Sequence, residues 1–271
     1  MSNLQLRVVS GIVLAAVVLA LTWYGGWPFR ALAVLIGALV FHEWSTISGL
    51  GRDRGLLVLH WVLLGVVLAA LMAGASAASV LILGVGATVL CAGAGRVRGQ
   101  GTVGAIGLAY AVFPAIALSL LRADDAPGLA AVIYLFAVVW ATDIFAYFTG
   151  RAVGGPKLAP SISPGKTWSG AVGGTLAAVI AGYGVALVAG HAAPLTLALL
   201  AVPLSVVSQV GDLFESAFKR RFAVKDSGNL IPGHGGVMDR VDGLVAAAFA
   251  LYLAGWLMAG PDGPALGLFP L

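Results

Sequence analysis

The chain has 271 residues, 60% of them hydrophobic and only 10% charged, with a net charge of +4. Such a composition excludes an ordinary water-soluble domain and makes lipid the solvent for most of the chain. A β-barrel would show short alternating segments, which are absent, and Cys91, the single cysteine, excludes a disulfide framework and a cysteine-based metal site.

A bilayer core takes roughly 20 apolar residues per helical crossing. Apolar runs bounded by charge, Gly or Pro predict spans near residues 8–24, 28–45, 56–72, 77–90, 103–121, 129–149, 168–189, 193–210 and 244–259. The expectation is an all-α, polytopic integral membrane helix bundle of about nine transmembrane helices. Arg7 before an apolar run resembles a cleavable signal, but no convincing small-residue cleavage site follows, so the first helix is read as retained. The 38 glycines fit close helix packing in lipid. There is no internal repeat and no long low-complexity linker. The chain is read as N-terminal transmembrane helices over 1–125 and a C-terminal transmembrane catalytic region over 126–271, with cytoplasmic loops 150–167 and 211–243.

Lys and Arg are retained on the cytoplasmic side of short loops. With a cytoplasmic N-terminus, Arg7, Arg52, Arg54, Arg96, Arg98, Arg151, Lys157, Lys166, Lys219, Arg220, Arg221, Lys225 and Arg240 fall inside, and only Arg30 and Arg122 fall outside. The positive charge therefore suits anionic headgroups at the cytoplasmic face. No basic stretch is interleaved with aromatics, so no nucleic-acid partner is expected.

Polar residues gather in two places. The first runs from Asp143 through Tyr147 and Arg151 to Gly154, Gly155, Pro156, Lys157, Ser163, Pro164, Gly165, Lys166 and Thr167. Asp143 lies inside a span, where a carboxylate is costly unless it meets a partner, water or a metal; a helix-packing hydrogen bond and a cation or substrate role are both open. Gly165, Lys166 and Thr167 suggest a P-loop, but position 160 is Pro and no strand precedes the turn, so that pattern fails. What remains is a turn presenting Lys166 and the hydroxyls of Ser163 and Thr167 before a helix start. This suits either phosphate binding or simple capping.

The second cluster, Ser208 to Gly243, is denser. Asp212, Asp226, Asp239 and Asp242 offer hard oxygen ligands for Mg²⁺, and Lys219, Arg220, Lys225 and Arg240 can hold phosphate oxygens. Gly233, Gly235 and Gly236 around His234 would let backbone donors approach a polyphosphate. Asp239 and Asp242, three apart at a helix start, could face one site. His234 suits a donor to a phosphate oxygen better than a base, because a phosphate monoester is already largely dianionic. For His42, Glu43 and Glu215 a helix–helix hydrogen bond and a site role are equally open.

Ser216, Lys219, Arg220, Lys225, Asp226, Pro232, Gly233, His234, Gly235, Gly236, Asp239, Arg240 and Asp242 together resemble the signature of the phosphatidate cytidylyltransferase family. The run Ser163, Pro164, Gly165, Lys166, Thr167, Trp168, Ser169, Gly170 is similar to a second block of that family, departing from it in Gly165 for Lys and Ser169 for Glu. The resemblance covers about 143–243. It implies a multi-helix membrane fold, a homodimer, CTP and phosphatidic acid as substrates, and Mg²⁺ with K⁺ assisting.

On this reading Asp226, His234, Asp239 and Lys225 are catalytic. Ser163, Lys166, Thr167, Ser216, Lys219, Arg220, Gly233, Gly235, Gly236 and Arg240 bind substrate, and Asp226, Asp239, Asp242, Asp143 and Asp212 hold metal. The implied place is the cytoplasmic membrane of a bacterium, with the active site facing the cytoplasm. Two rivals are a transferase acting on a different lipid acceptor, such as a polyprenyl phosphate or a dolichol-like alcohol, the alcohol giving His234 a larger part as a base, and a transporter, which would show a repeat and a midplane site.

Overall fold

The computed structural model describes residues 3–270, apart from the side chains of residues 3, 4, 6 and 7; the Arg7 charge used in the orientation argument thus lies outside the described residues. The helices are α1 (Asn3–Tyr24), α2 (Gly26–Ile47), α3 (Arg54–Met72), α4 (Ala77–Val97), α5 (Val103–Arg122), α6 (Ala126–Val153), α7 (Trp168–Val188), α8 (Pro194–Arg221), α9 (Met238–Ala259) and α10 (Pro264–Leu268). Between α6 and α7 lies an antiparallel hairpin of β1 (Lys157–Ala159) and β2 (Ser163–Thr167). Among the described residues, the eight helices α2 to α9 are long and apolar enough to cross a membrane, while the apolar stretch of α1, Val8–Tyr24, is shorter. The protein is an all-α polytopic membrane protein, and the expected spans correspond to these eight helices and α1.

Local chemistry sets several helix starts. Asp53 accepts from the Leu56 amide at 3.0 Å, Asp125 from Gly128 at 2.7 Å and Thr167 from Gly170 at 3.1 Å, each satisfying a donor that has no partner within its helix. The outward faces stay apolar, as at Ile12, Ile82 and Ile180, which suits contact with lipid.

Two stretches differ from the sequence reading. Residues 211–221 are not loop but the end of α8, whose last turn carries Lys219, Arg220 and Arg221; cations there complement the helix dipole. Residues 157–167 are not an irregular turn but a hairpin, in register Lys157↔Thr167 and Ala159↔Ser163. Pro156, Pro160 and Pro164 exclude helix across it.

The chain forms two compact units: Met1–Ala123 with Phe222–Val241, and Asp124–Arg221 with Asp242–Leu271. Residues 222–241, grouped from sequence with the C-terminal region, thus pack within the first unit.

In that unit α2 and α5 pack closely because the Trp44 ring lies over Gly107, where an added Cβ would overlap it, and the indole Nε1 donates to Val103 O at 3.0 Å. Arg122 is buried and donates to Thr22 O at 2.5 Å and Trp23 O at 3.1 Å, capping the C-terminal carbonyls of α1. Gly107→Val should therefore destabilise the unit by about 3 kcal/mol through forced displacement of the Trp44 ring. A clear fall in Tm of the detergent-purified protein checks this, and an unchanged Tm would refute it.

In the second unit α6 and α7 approach through glycine: a Cβ on Gly170 would sit 2.6 Å from Ala146 O, and one on Gly174 2.6 Å from Thr142 O. Small residues give this backbone-to-backbone packing, which drives helix association in lipid. Thr142 donates to Ser205 at 2.8 Å, and Gln209 donates to Thr175 at 3.2 Å, so hydrogen bonds join α6, α7 and α8 inside the unit.

Candidate active site

In the second unit, a cavity of about 620 Å³ lies where the C-terminal part of α6 meets the hairpin, the start of α7 and the middle of α8. α6 supplies Asp143, Tyr147 and Arg151; the hairpin supplies Lys157, Ser163 and Lys166; Thr167, Gln209 and Asp212 complete the polar wall. Lys166 Nζ stands 2.5 Å from Asp212 Oδ2, and Ser216 donates to Asp212 Oδ1 at 3.3 Å. The predicted residues Asp143, Ser163, Lys166, Thr167 and Asp212 are thus brought together. Arg151, Lys157 and Gln209 were outside the predicted set, although the first two belong to the same polar run of sequence.

Thr167 is buried at the start of α7, its hydroxyl accepting from Gly170 and lying 3.0 Å from Ser169 Oγ. Ser169 also donates to Gly154 O, tying the end of α6 to the start of α7. Ser169 therefore has a structural hydrogen bond of its own.

The charges of Asp143, Asp212 and Glu215 all act on Asp242, whose Oδ1 accepts from the Gly243 amide at 2.7 Å. Such a gathering of carboxylates repels itself and favours a cation. Lys166 offsets Asp212, and Lys219 offsets Glu215 at 2.8 Å. Lys219, expected to grip phosphate, is buried in that pair, while Arg220 is exposed and donates to Ile162 O at 3.4 Å.

Among the described residues, no three His, Cys, Asp or Glu side chains form a ready metal cage. Mg²⁺ commonly takes only one or two carboxylates and fills its remaining positions with water and substrate phosphate oxygens. The hard oxygens of Asp143 and Asp212 on the cavity wall fit that requirement.

In the first unit, residues 222–241 fold around two carboxylates. Asp239 Oδ2 accepts from the Ser227 amide at 2.8 Å and the Gly236 amide at 3.0 Å, and lies 2.9 Å from the Ser227 hydroxyl oxygen. Glu43, on α2 and 3% exposed, accepts from Ser227 Oγ, Val237 N and Met238 N, each at 2.8 Å. The Gly236 donor, expected to face a polyphosphate, faces Asp239 instead.

Gly233 and Gly235 have φ of 75° and 83°, a left-handed backbone that closes the turn joined by the Ile231 N–Gly235 O bond at 2.9 Å. The His234 ring sits beside α1, its Nδ1 2.8 Å from Ser10 Oγ. Lys225, Asp226 and Arg240 are exposed. Glu43 is the functional candidate that sequence reasoning left open; an acid inside an apolar span was its signal.

A family model described as the cytidylyltransferase family matches residues 5–258. The chain is 48% identical over 272 residues, 99% of each chain, to the phosphatidate cytidylyltransferase of Brucella suis biovar 1 (strain 1330). It is 45% identical over 133 residues to that of Bacillus subtilis (strain 168), covering 49% of each chain. A protein of the same name from Haemophilus influenzae is 47% identical over 133 residues, covering 46% of this chain and 45% of the relative.

Proposed function

Because the chain belongs to the cytidylyltransferase family, we propose that it transfers CMP from CTP to phosphatidic acid, giving CDP-diacylglycerol and pyrophosphate. The names of the near-full-length relatives support this choice of substrates. The geometric observation that carries it is the cavity in which Lys166, Arg151 and Lys157 stand with Asp143 and Asp212 at the end of an apolar membrane helix. That arrangement suits a reaction between two phosphate-bearing substrates, one water-soluble and one with acyl chains that stay in lipid.

A phosphatidate oxygen attacks the α-phosphorus of CTP, a new P–O bond forms, and the bond to the leaving pyrophosphate breaks. Lys166, Arg151 and Lys157 hold phosphate oxygens and offset their charge, and the Ser163 hydroxyl can donate to one. Asp143 and Asp212 would hold Mg²⁺, which when bound offsets charge on the phosphate oxygens and the leaving group. K⁺ is proposed on the family resemblance alone. The proposal includes a bacterial cytoplasmic membrane with the site toward the cytoplasm, supported by the bacterial relatives and the distribution of Lys and Arg, and a homodimer on the family resemblance alone.

The test is pyrophosphate release from CTP by the detergent-purified full chain with Mg²⁺, with and without phosphatidic acid. Release that depends on phosphatidic acid is expected. Release driven instead by a polyprenyl phosphate or a lipid alcohol, or no release from folded protein, would overturn the reading.

A further inference from the structure

Glu43 belongs to none of the catalytic, substrate or metal sets above, yet its carboxylate holds three groups between residues 227 and 238. Its carboxylate has three partners, and all are donors from one stretch of chain: the Ser227 hydroxyl and the amides of Val237 and Met238. The amides of Val237 and Met238 open α9, and an α-helix leaves its first N–H groups without internal partners. Helices commonly satisfy them with a Ser, Thr, Asp or Asn just before the first turn. This one has Gly236 and Val237 there, neither with a side-chain acceptor, so the cap comes from α2, nearly 200 residues away in sequence. The negative charge also suits the positive end of the helix dipole.

The surrounding glycines fit the same arrangement. A Cβ on Gly236 would collide with Ser227 Oγ and both carboxylate oxygens of Glu43, and one on Gly228 would lie 3.1 Å from Glu43 Oε1. Ser227 then connects Glu43 to Asp239, since its hydroxyl lies 2.8 Å from one carboxylate and 2.9 Å from the other. Lys225, Asp226 and His234 ride on the loop so fixed.

We propose that Glu43 is a positioning residue for the reaction: from α2 it caps α9 and holds the loop bearing Lys225, Asp226 and His234 in its active shape. The inference rests on the proposed function for the reaction it serves. A carboxylate is required rather than any polar group of its size, because all its partners donate. In a Glu43→Gln variant the amide NH₂ faces an N–H or O–H donor and cannot accept from it.

The test uses the full-length protein in detergent with three variants, Glu43→Gln, Glu43→Asp and Gly236→Ala. Hydrogen exchange is followed across residues 225–240, and kcat and KM for CTP are measured per folded molecule. In Glu43→Gln, exchange at Val237 and Met238 should accelerate about tenfold. The value of kcat should fall about 100-fold, as expected when catalytic groups move by about 1 Å, with KM for CTP changed by no more than about threefold. Gly236→Ala should reproduce this split, and Glu43→Asp, which keeps the carboxylate, should recover part of the kcat.

A lowered Tm with unchanged kcat and KM per folded molecule would make Glu43 merely structural and overturn the inference, as would unchanged exchange at Val237 and Met238. If Glu43→Gln does not fold, the other two variants decide by the same readouts. Lack of phosphatidate-dependent turnover in the unmodified protein would instead overturn the proposed function, because the exchange result needs no substrate.

Discussion

Replacing Lys166 with alanine should lower kcat/KM for CTP by about 10²–10³-fold, the loss typical when one preorganised donor to a reacting anion is removed. Lys166 is a cation of the hairpin on the cavity wall, and its ammonium lies 2.5 Å from Asp212. In the proposed reaction its removal takes away a contact to the phosphate oxygens. It also leaves the Asp212 charge uncompensated beside Asp143 and Asp242. The second effect makes CTP, itself an anion, less welcome, so KM should rise as kcat falls. Lys166→Arg keeps the charge with a different geometry and should lose less. Steady-state pyrophosphate release at several CTP concentrations checks both variants. Activity of Lys166→Ala within threefold of the unmodified protein would remove Lys166 from the site.

The second large effect is expected at Asp239. One oxygen of this carboxylate accepts from two backbone amides. Asp239→Ala leaves the Ser227 and Gly236 amides without that acceptor, at about 1–3 kcal/mol for each group left unsatisfied. The site is only partly buried, so water can replace some of these bonds, and a total near the lower end is expected. The loss of turnover should be larger than the loss of stability suggests, about 10³-fold or more, because the groups it fixes would then be misplaced. A melting curve and a turnover assay on the same preparation separate the two. A large fall in Tm with normal turnover of the folded fraction would show Asp239 to be structural only.

Much of the candidate site could be read from residue types alone. Asp143, Ser163, Lys166, Thr167 and Asp212 were chosen as polar groups in an apolar chain, and all five line one cavity. The clustering follows from the high cost of isolated polar groups in lipid, which concentrates them where they meet partners. Lys219 shows how the same reasoning misleads. Its cation was assigned to phosphate, but Glu215 lies one helical turn earlier and takes it at 2.8 Å. That i,i+4 spacing is a local signal, hidden while residues 211–221 are read as loop.

Local sequence signals suffice to define the membrane-spanning helices and several of their starts. Hydropathy over a window of about 20 residues is a local sum set by the thickness of the bilayer, and caps such as Asp53, Asp125 and Thr167 act within three residues. Tertiary packing alone places Phe222–Val241 with the N-terminal helices and brings Glu43 to the start of α9. The Glu43 cap depends on which donors a buried carboxylate meets after the chain has closed over nearly 200 residues. No local propensity records that choice; the requirement that every buried polar group find a partner makes it.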